Sequence, residues 1–459
     1  MQPAQPAVVD QGDLFRSRLD QMLNEEHPLF KLSEAIDWPV FEKEFAPFYC
    51  ADNGRPALPI RLMVGLHYLK YLFNVSDETV VATWVENPYW QYFCGEHYFA
   101  HRPPCDPTVL VKWRHRVGAS GLEKLLQETL ETAKRAKILK PQELKQVNVD
   151  TTVQEKATAF PTDARLYQKA RKALVRAAKA EGLRLRQSYE RLGRYALQQQ
   201  GRYSAARQGR RAKRETKRLR TYLGCVIRDL RRQLPQLEGK AQKELETLLS
   251  RAEKIHAQQR TDGNKVYSMH APEVECIAKG KTHKKYEFGV KVQVVTTSTH
   301  GWIVAMDAAP GNPYDGETLI PSLEQMQRLT GVRPELACVD RGYKGGKHHP
   351  PDVQVLISGR RGLSPTLKRR LRRRSAIEPI IGHAKADHGL DRNHLAGQVG
   401  DRINAMLSAC GFNLRKLMNN SHKLKKLWRL LLKLLSSALI YVRRMMYGTQ
   451  SSIEIQRVA

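Results

Sequence analysis

The sequence predicts an α/β protein in which a helical amino-terminal domain precedes a mixed sheet and a long basic helical insertion interrupts that sheet. Three observations predict it. Aromatic and aliphatic residues recur at helical spacing before residue 140, short apolar runs of strand length recur from Gln146 onward, and a charged stretch with leucines at helical intervals separates the first two runs. The boundaries are 1–140 for the helical domain, 141–420 for the sheet domain with its insert at 163–262, and 421–459 for a basic amphipathic tail.

In the first domain the helical spacing is clearest from Leu58 to Trp84. Pro59 opens one helix, where a missing N–H costs nothing, and Ser76 is placed to cap the next, Asp77 to Val85, through its side-chain oxygen. A helix, a short turn containing Asn74 and a Ser-capped helix are compatible with a helix-turn-helix module, and an ordinary helical bundle accounts for the same pattern. Farther on, Cys94, His97, His101 and Cys105 form C-x2-H-x3-H-x3-C, which resembles a zinc spacing. The stiff Arg102-Pro103-Pro104 segment and the lack of a second ligand cluster favour a buried cysteine and exposed histidines in an aromatic loop.

The strands follow. VNVDTT puts Val147 and Val149 on one face and Asp150 at the strand end; Tyr286 to Thr297 (YEFGVKVQVVTT) and Trp302 to Ala308 read as the second and third strands. Asp315 and Gly316 open a helix through Leu329, and Leu336 to Val339 is a strand ending at Asp340 and the turn Arg341-Gly342-Tyr343. Val353 to Ile357 is the last strand. Arg374, Glu378 and Lys385 then form R-x3-E-x6-K. Steps of four and seven share one helix face, so one carboxylate is held between two cations while Ile377, Ile380, Ile381 and Ala384 turn to the core. Pro379 disfavours helical geometry at Glu378, which points to a helix starting at the proline and to a looser alignment of Arg374.

The insert, Asp163 to Asp262, holds 27 lysines and arginines against 10 acidic residues, more than half of the chain's net charge of +31. Leu174, Leu183, Leu219, Leu223, Leu230 and Leu245 indicate amphipathic helices broken near Gly201, Gly209 and Pro235. The run Arg207 to Arg220, with Arg210, Arg211, Lys213 and Arg214 at its centre, is read as a phosphate-contacting surface; the alternative is the solvated face of a helical hairpin.

Across 459 residues, 77 lysines and arginines face 46 acidic residues, and a pI near 9.9 points to nucleic acid as the partner. A hydrophobic share of 41% excludes a disordered chain. Seven scattered cysteines without a CxxC pair point to a reducing compartment such as the cytoplasm. The opening MQPAQPAVVDQGDLF lacks the basic and apolar regions of a secretion signal. Leu427 to Val442 is interrupted by Arg429 and Lys433, so it reads as a basic amphipathic helix and not a membrane anchor.

Asp150, Asp340 and Glu378 sit where a sheet enzyme presents functional groups, at strand ends and on a following helix. Three carboxylates are hard oxygen donors suited to Mg2+ or Mn2+, and two such ions about 4 Å apart activate a water or a 3′ hydroxyl and stabilise the leaving oxygen of an in-line displacement. That is phosphodiester chemistry.

With these residues in view, the segments VNVDTT, TDARLY, YEFGVKV, GNPYDGETL, CVDRGY, RRSAIEPIIGHAK and GDRINAMLSACGFNL resemble the DDE transposases of bacterial insertion sequences, specifically the group with an InsH-like amino-terminal domain. The likeness runs from about residue 40 to 420, with the motifs in order. It implies an RNase H-like catalytic domain, with Asp150, Asp340 and Glu378 matching the acidic triad and binding two Mg2+ or Mn2+ ions. Arg374 and Lys385 match the basic partners of the Y-x2-R-x3-E-x6-K signature, which contact transposon-end DNA in the family. Leu371 stands where that signature has tyrosine. Terminal inverted repeats and target DNA are the implied partners, and pairing two ends implies a homodimer. The short interval from Asp340 to Glu378 leaves no room for a large β-rich insertion, so the extra mass follows Asp150 as the basic insert. Two other readings stand beside this one. A nonenzymatic DNA-binding or architectural protein, descended from a decayed transposase, would keep only the basic surfaces, and an RNase H-like nuclease would cut without strand transfer.

Overall fold

The computed structural model describes residues 17–50, 56–278 and 285–420; the stretch Leu427 to Val442, expected as an amphipathic helix, lies outside them. Helices come first: α1 (Leu19–Met22), α2 (Pro28–Ala35), α3 (Trp38–Phe45), α4 (Ile60–Leu72), α5 (Asp77–Glu86), α6 (Pro88–Phe93) and α7 (Pro107–Arg135). Ser76 caps α5 as expected, accepting from the Thr79 N–H at 3.1 Å. α5 buries Val80, Val81 and Trp84 and exposes Glu78, Thr79, Ala82 and Glu86. Asp77 turns inward instead, accepting from Lys70 Nζ at 2.7 Å and Arg114 Nη2 at 2.6 Å.

The zinc spacing of the same region is not a site. Cys94 lies in the core with Sγ where a Cβ on Gly65 would come within 2.8 Å, and burial pushes its thiol up. His97 serves through its backbone carbonyl, which accepts from the Leu19 N–H, and His101 packs edge-on against Phe99.

The strands are β1 (Gln146–Lys156), β2 (Glu275–Ala278), β3 (Tyr286–Thr297), β4 (Ile303–Ala309), β5 (Leu336–Val339), β6 (Gln354–Ile357) and β7 (Arg392–Asn393). β1 is central, antiparallel to β3 on one edge and parallel to β5 on the other; β4 lies beyond β3 and β6 beyond β5. The order β4–β3–β1–β5–β6, three antiparallel strands followed by two parallel ones, is the RNase H-like arrangement. β2 and β7 are short additions to β3 and β1 that carry little apolar pattern of their own.

One expectation needs correction. Asp150 lies within β1 rather than at its end, because β3 pairs with β1 from Val147↔Thr297 to Glu155↔Gly289. The polar residues after Asp150 stay in the strand because a helix over 397–420 (α15) and its approach supply them with partners. Gln154 Nε2 donates to the Asp401 carbonyl at 3.0 Å and its Oε1 accepts from Asn404 at 2.9 Å. Lys156 is buried between Asp401 at 2.8 Å and Glu273 at 2.9 Å.

The insert forms α8 (Asp163–Ala180), α9 (Glu190–Ala205), α10 (Gly209–Gln233) and α11 (Gly239–Ala257). Leu174, Leu219, Leu223, Leu245 and Leu249 meet in a core of their own, separate from the main one. Gly201 does not break α9, whereas Gly209 opens α10 and Pro235 stands in the 3-10 turn that ends it. The main core runs without interruption from the amino-terminal helices through Val149, Val292 and Val294 to Leu407.

After β4, Asp315–Thr318 is a 3-10 turn leading into α12 (Leu319–Thr330). α13 (Pro365–Arg372) follows β6, then a 3-10 turn Arg373–Ala376 and α14 (Ile377–Asp387). α14 starts two residues before the expected Pro379, which sits in its first turn where no intrahelical N–H bond is lost. Ile377 and Ala384 are buried; Ile380 and Ile381 are partly so, against the core.

Candidate active site

Asp150 and Asp340 become neighbours through strand register. The last registered pair of β1 and β5 is Asn148↔Cys338, and each aspartate stands two residues beyond on its own chain segment, on the face that alternation assigns to both. Asp150 Oδ1 accepts from the Thr151 N–H and Asp340 Oδ1 from the Gly342 N–H, each at 2.8 Å. Burial pushes the Asp150 pKa above the ordinary carboxylate value, the Arg374 guanidinium pulls against that, and the negative charge of Asp340 adds to the rise.

Glu378 joins through Arg374. Asn148, on the same face of β1 as Asp150, donates Nδ2 to the Arg373 carbonyl at 3.0 Å, and Arg373 Nε donates to the Ser298 carbonyl at 2.8 Å. The 3-10 turn is thereby pinned against the sheet. The next residue, Arg374, donates Nη2 to Asp150 Oδ2 at 2.8 Å and Nη1 to Glu378 Oε1 at 3.3 Å. Arg374 is 17% exposed and Glu378 63%, so the bridge spans from the sheet floor to the solvent side. With the guanidinium in the gap, no three acidic groups close around one point among the described residues. Lys385, the second expected flanking cation, lines a neighbouring cleft of about 640 Å³ together with Asn74, Arg114, His115, Arg392 and His394.

The donor set suits a divalent cation. Asp150 and Asp340 present hard oxygens side by side, and two acids close on Gly342, where a Cβ would meet Asp315 Oδ2 at 2.7 Å and Asp340 Oδ1 at 2.9 Å. The fully buried Tyr343 side chain lies beside Thr318 and feels the charges of Asp150, Asp315 and Asp340. Sequence reasoning took Asp315 for the start of a helix and passed over Asn148 and Arg373. The buried polar Asn148 between Val147 and Val149 was the readable signal; nothing local marked Arg373 apart from the arginines around it.

Arg210, Arg211, Lys213 and Arg214 lie exposed on α10 in the insert, whose core is separate from the one under the aspartates. Arg211 donates to Gln208 at 3.0 Å and Arg214 pairs with Glu215 at 3.8 Å.

Comparison with known proteins gives the family. Residues 17–116 match the family described as a transposase domain, DUF772, and residues 258–414 match the transposase DDE domain. Asp340, Arg374, Glu378 and Lys385 fall in the second segment; Asp150 and all but the last five residues of the insert lie between the two. A Rhizobium meliloti protein described as uncharacterized protein ORF8 in the nfe locus is 50% identical over 196 residues, 43% of this chain and 94% of that protein. No solved structure matches.

Proposed function

The chain belongs to the DDE transposases of insertion sequences, and from that premise we propose that it binds the terminal inverted repeats of its own element, cleaves there and joins the 3′ ends to target DNA. The observation that carries this reading is the placement of Asp150 and Asp340 each two residues beyond the last registered pair of β1 and β5, with Glu378 tied to Asp150 through Arg374. Asp150, Asp340 and Glu378 would hold Mg2+ or Mn2+, two ions per site. When bound, these cations supply the Lewis acidity that activates the attacking hydroxyl and stabilises the leaving one.

The chain's own residues do the rest. Asn148 and Arg373 fix the turn that carries Arg374; Arg374 and Lys385 lie toward the DNA and position the scissile strand by its phosphates. The helical region 1–140 and the basic insert 163–262 bind DNA, the insert without regard to sequence. Two chains act as a homodimer on paired ends, in the cytoplasm with the nucleoid DNA. Among the described residues no helix is long and apolar enough to cross a membrane.

The test is to incubate the purified chain with Mg2+ and DNA bearing the inverted repeats that flank its own locus. Joined products support the transposase; cutting without joining would make it a nuclease, and binding without cutting an architectural protein.

A further inference from the structure

The stretch 353–377 holds eight lysines and arginines and no acidic residue. The acids that bound it are already engaged: Asp352 accepts from Arg333 Nε at 2.8 Å and Glu378 from Arg374 Nη1 at 3.3 Å. In the insert, by contrast, Arg214, Arg218, Arg231 and Arg232 each pair with a carboxylate. α13 carries the middle of the stretch. Leu367 and Leu371 seat it on Leu336, Cys338 and Leu356 of β5 and β6, and Cys338 Sγ reaches the Arg370 carbonyl at 3.9 Å. Leu371, standing where the signature has tyrosine, is thus a foot of this helix, and Lys368, Arg369, Arg370 and Arg372 are left exposed.

Arg369, Arg370 and Arg372 line a hollow of about 450 Å³ together with Gln146, Ser298 and Thr299. Arg373 also borders it, but its guanidinium is engaged by the Ser298 and Thr299 carbonyls at 2.8 and 2.6 Å. Cations in the last turn of a helix complement its dipole, but that effect fades within the turn, and Arg360, Arg361 and Lys368 lie before it. Strand register places the hollow. Gln146 stands four residues before Asp150 on β1, about 13 Å away at strand spacing. Glu155, on the other side of Asp150, pairs with Arg392, which lines the cleft that holds Lys385. The hollow and the cleft therefore lie toward opposite ends of β1, with Asp150 between them.

We infer that the exposed arginine face of α13 and its hollow hold the backbone of the target DNA. The inference rests on the transposase reading above. With transposon-end DNA on the Lys385 side, DNA beyond the reacting phosphate leaves Asp150 toward Gln146, and the hollow lies about four nucleotide steps along it at 3.4 Å each. Guanidinium groups without a carboxylate partner grip phosphates through paired bonds and read no bases, which suits DNA of arbitrary sequence. Flanking donor DNA is covalently tied to the bound end, so it is held at high effective concentration and needs no grip of its own. Target DNA arrives as a separate molecule and does.

The test compares the unmodified full chain with a variant combining Arg369→Ala, Arg370→Ala and Arg372→Ala. It measures affinity for end DNA, cleavage of an end still joined to its flank, and joining of precleaved ends to a plasmid that lacks the repeats. End binding and cleavage are expected to stay within about threefold, while the plasmid concentration for half-maximal joining rises at least about tenfold and the plateau is regained at high plasmid or low salt. The matching triple exchange to lysine keeps the charge and is expected to recover most of the loss. Joining with unmodified plasmid dependence would overturn the inference. Cleavage falling in step with joining would overturn it too, by placing flanking DNA on α13, as would a loss that no plasmid concentration restores, which would make the arginines structural. If the unmodified chain itself neither cleaves nor joins, the transposase reading falls and takes the inference with it.

Discussion

Arg374 Nη2 lies 2.8 Å from Asp150 Oδ2, and the same guanidinium reaches Glu378, so one side chain occupies the space between two carboxylates of the triad. A planar fork bridges two acids on different elements; an ammonium on a flexible stem does so poorly. Lys385, in the cleft wall, acts on phosphate as a point charge. Arg374→Lys is therefore expected to slow end cleavage by about tenfold or more, and Lys385→Arg by only about threefold. Equal tolerance of both exchanges in a cleavage time course would contradict the bridge.

The insert is expected to contribute salt-sensitive affinity. Neutralising Arg210, Arg211, Lys213 and Arg214 together should flatten the log-log dependence of DNA binding on salt by about 0.9 for each phosphate that these cations no longer neutralise. Arg214 already leans on Glu215 and Arg211 on Gln208, so Arg210 and Lys213 should account for most of the change. An unchanged slope in salt titrations would leave α10 with a solvated face.

Acid should loosen the junction of α4, α5 and α7. Burial, with Arg114 beside it, pushes His67 from 6.5 to about 3, so it stays neutral, its Nδ1 bonded to the Met63 carbonyl at 2.7 Å. Burial raises Asp77, but Arg114 and Lys70 outweigh it and hold the carboxyl well below its ordinary 3.8. Both folded values are depressed. His67 therefore stabilises the fold fully above pH 6.5 and loses that contribution as pH falls toward 3, while Asp77 does so only below about pH 4. Thermal melts should fall steadily from pH 6.5 to 4, and His67→Phe should flatten that limb while lowering the plateau. An undiminished slope in the variant would place the acid sensitivity elsewhere.

Much of this was legible in the sequence. Leu336 to Val339 and Tyr286 to Thr297 are apolar enough to be read as strands to the residue, and Asp340 followed as the strand's exit. The pairing of Arg374 with Glu378 could be placed by helical spacing alone. The reach of β1 beyond Asp150 could not, because Gln154 and Lys156 are polar and remain buried only through partners on α15 and Glu273, far away in the chain. The surroundings of Asp315 were invisible for the same reason: Thr151, Lys291 and Gly342 come to it from three separate segments. Local pattern also could not tell that Asp77 faces inward to Lys70 and Arg114.

The most direct test of the account is strand transfer by Asp150→Ala, Asp340→Ala and Glu378→Ala, measured in Mg2+ beside binding of the same end DNA. Each removes a carboxylate and no cation, so joining should fall below detection while end binding stays within about threefold of the unmodified chain. Glu378→Ala is the sharpest of the three, because Glu378 is the most exposed and meets Asp150 only through Arg374. Joining at near the unmodified rate by any one of them would contradict the assignment of that residue, and by Asp150→Ala and Asp340→Ala together would contradict the catalytic site.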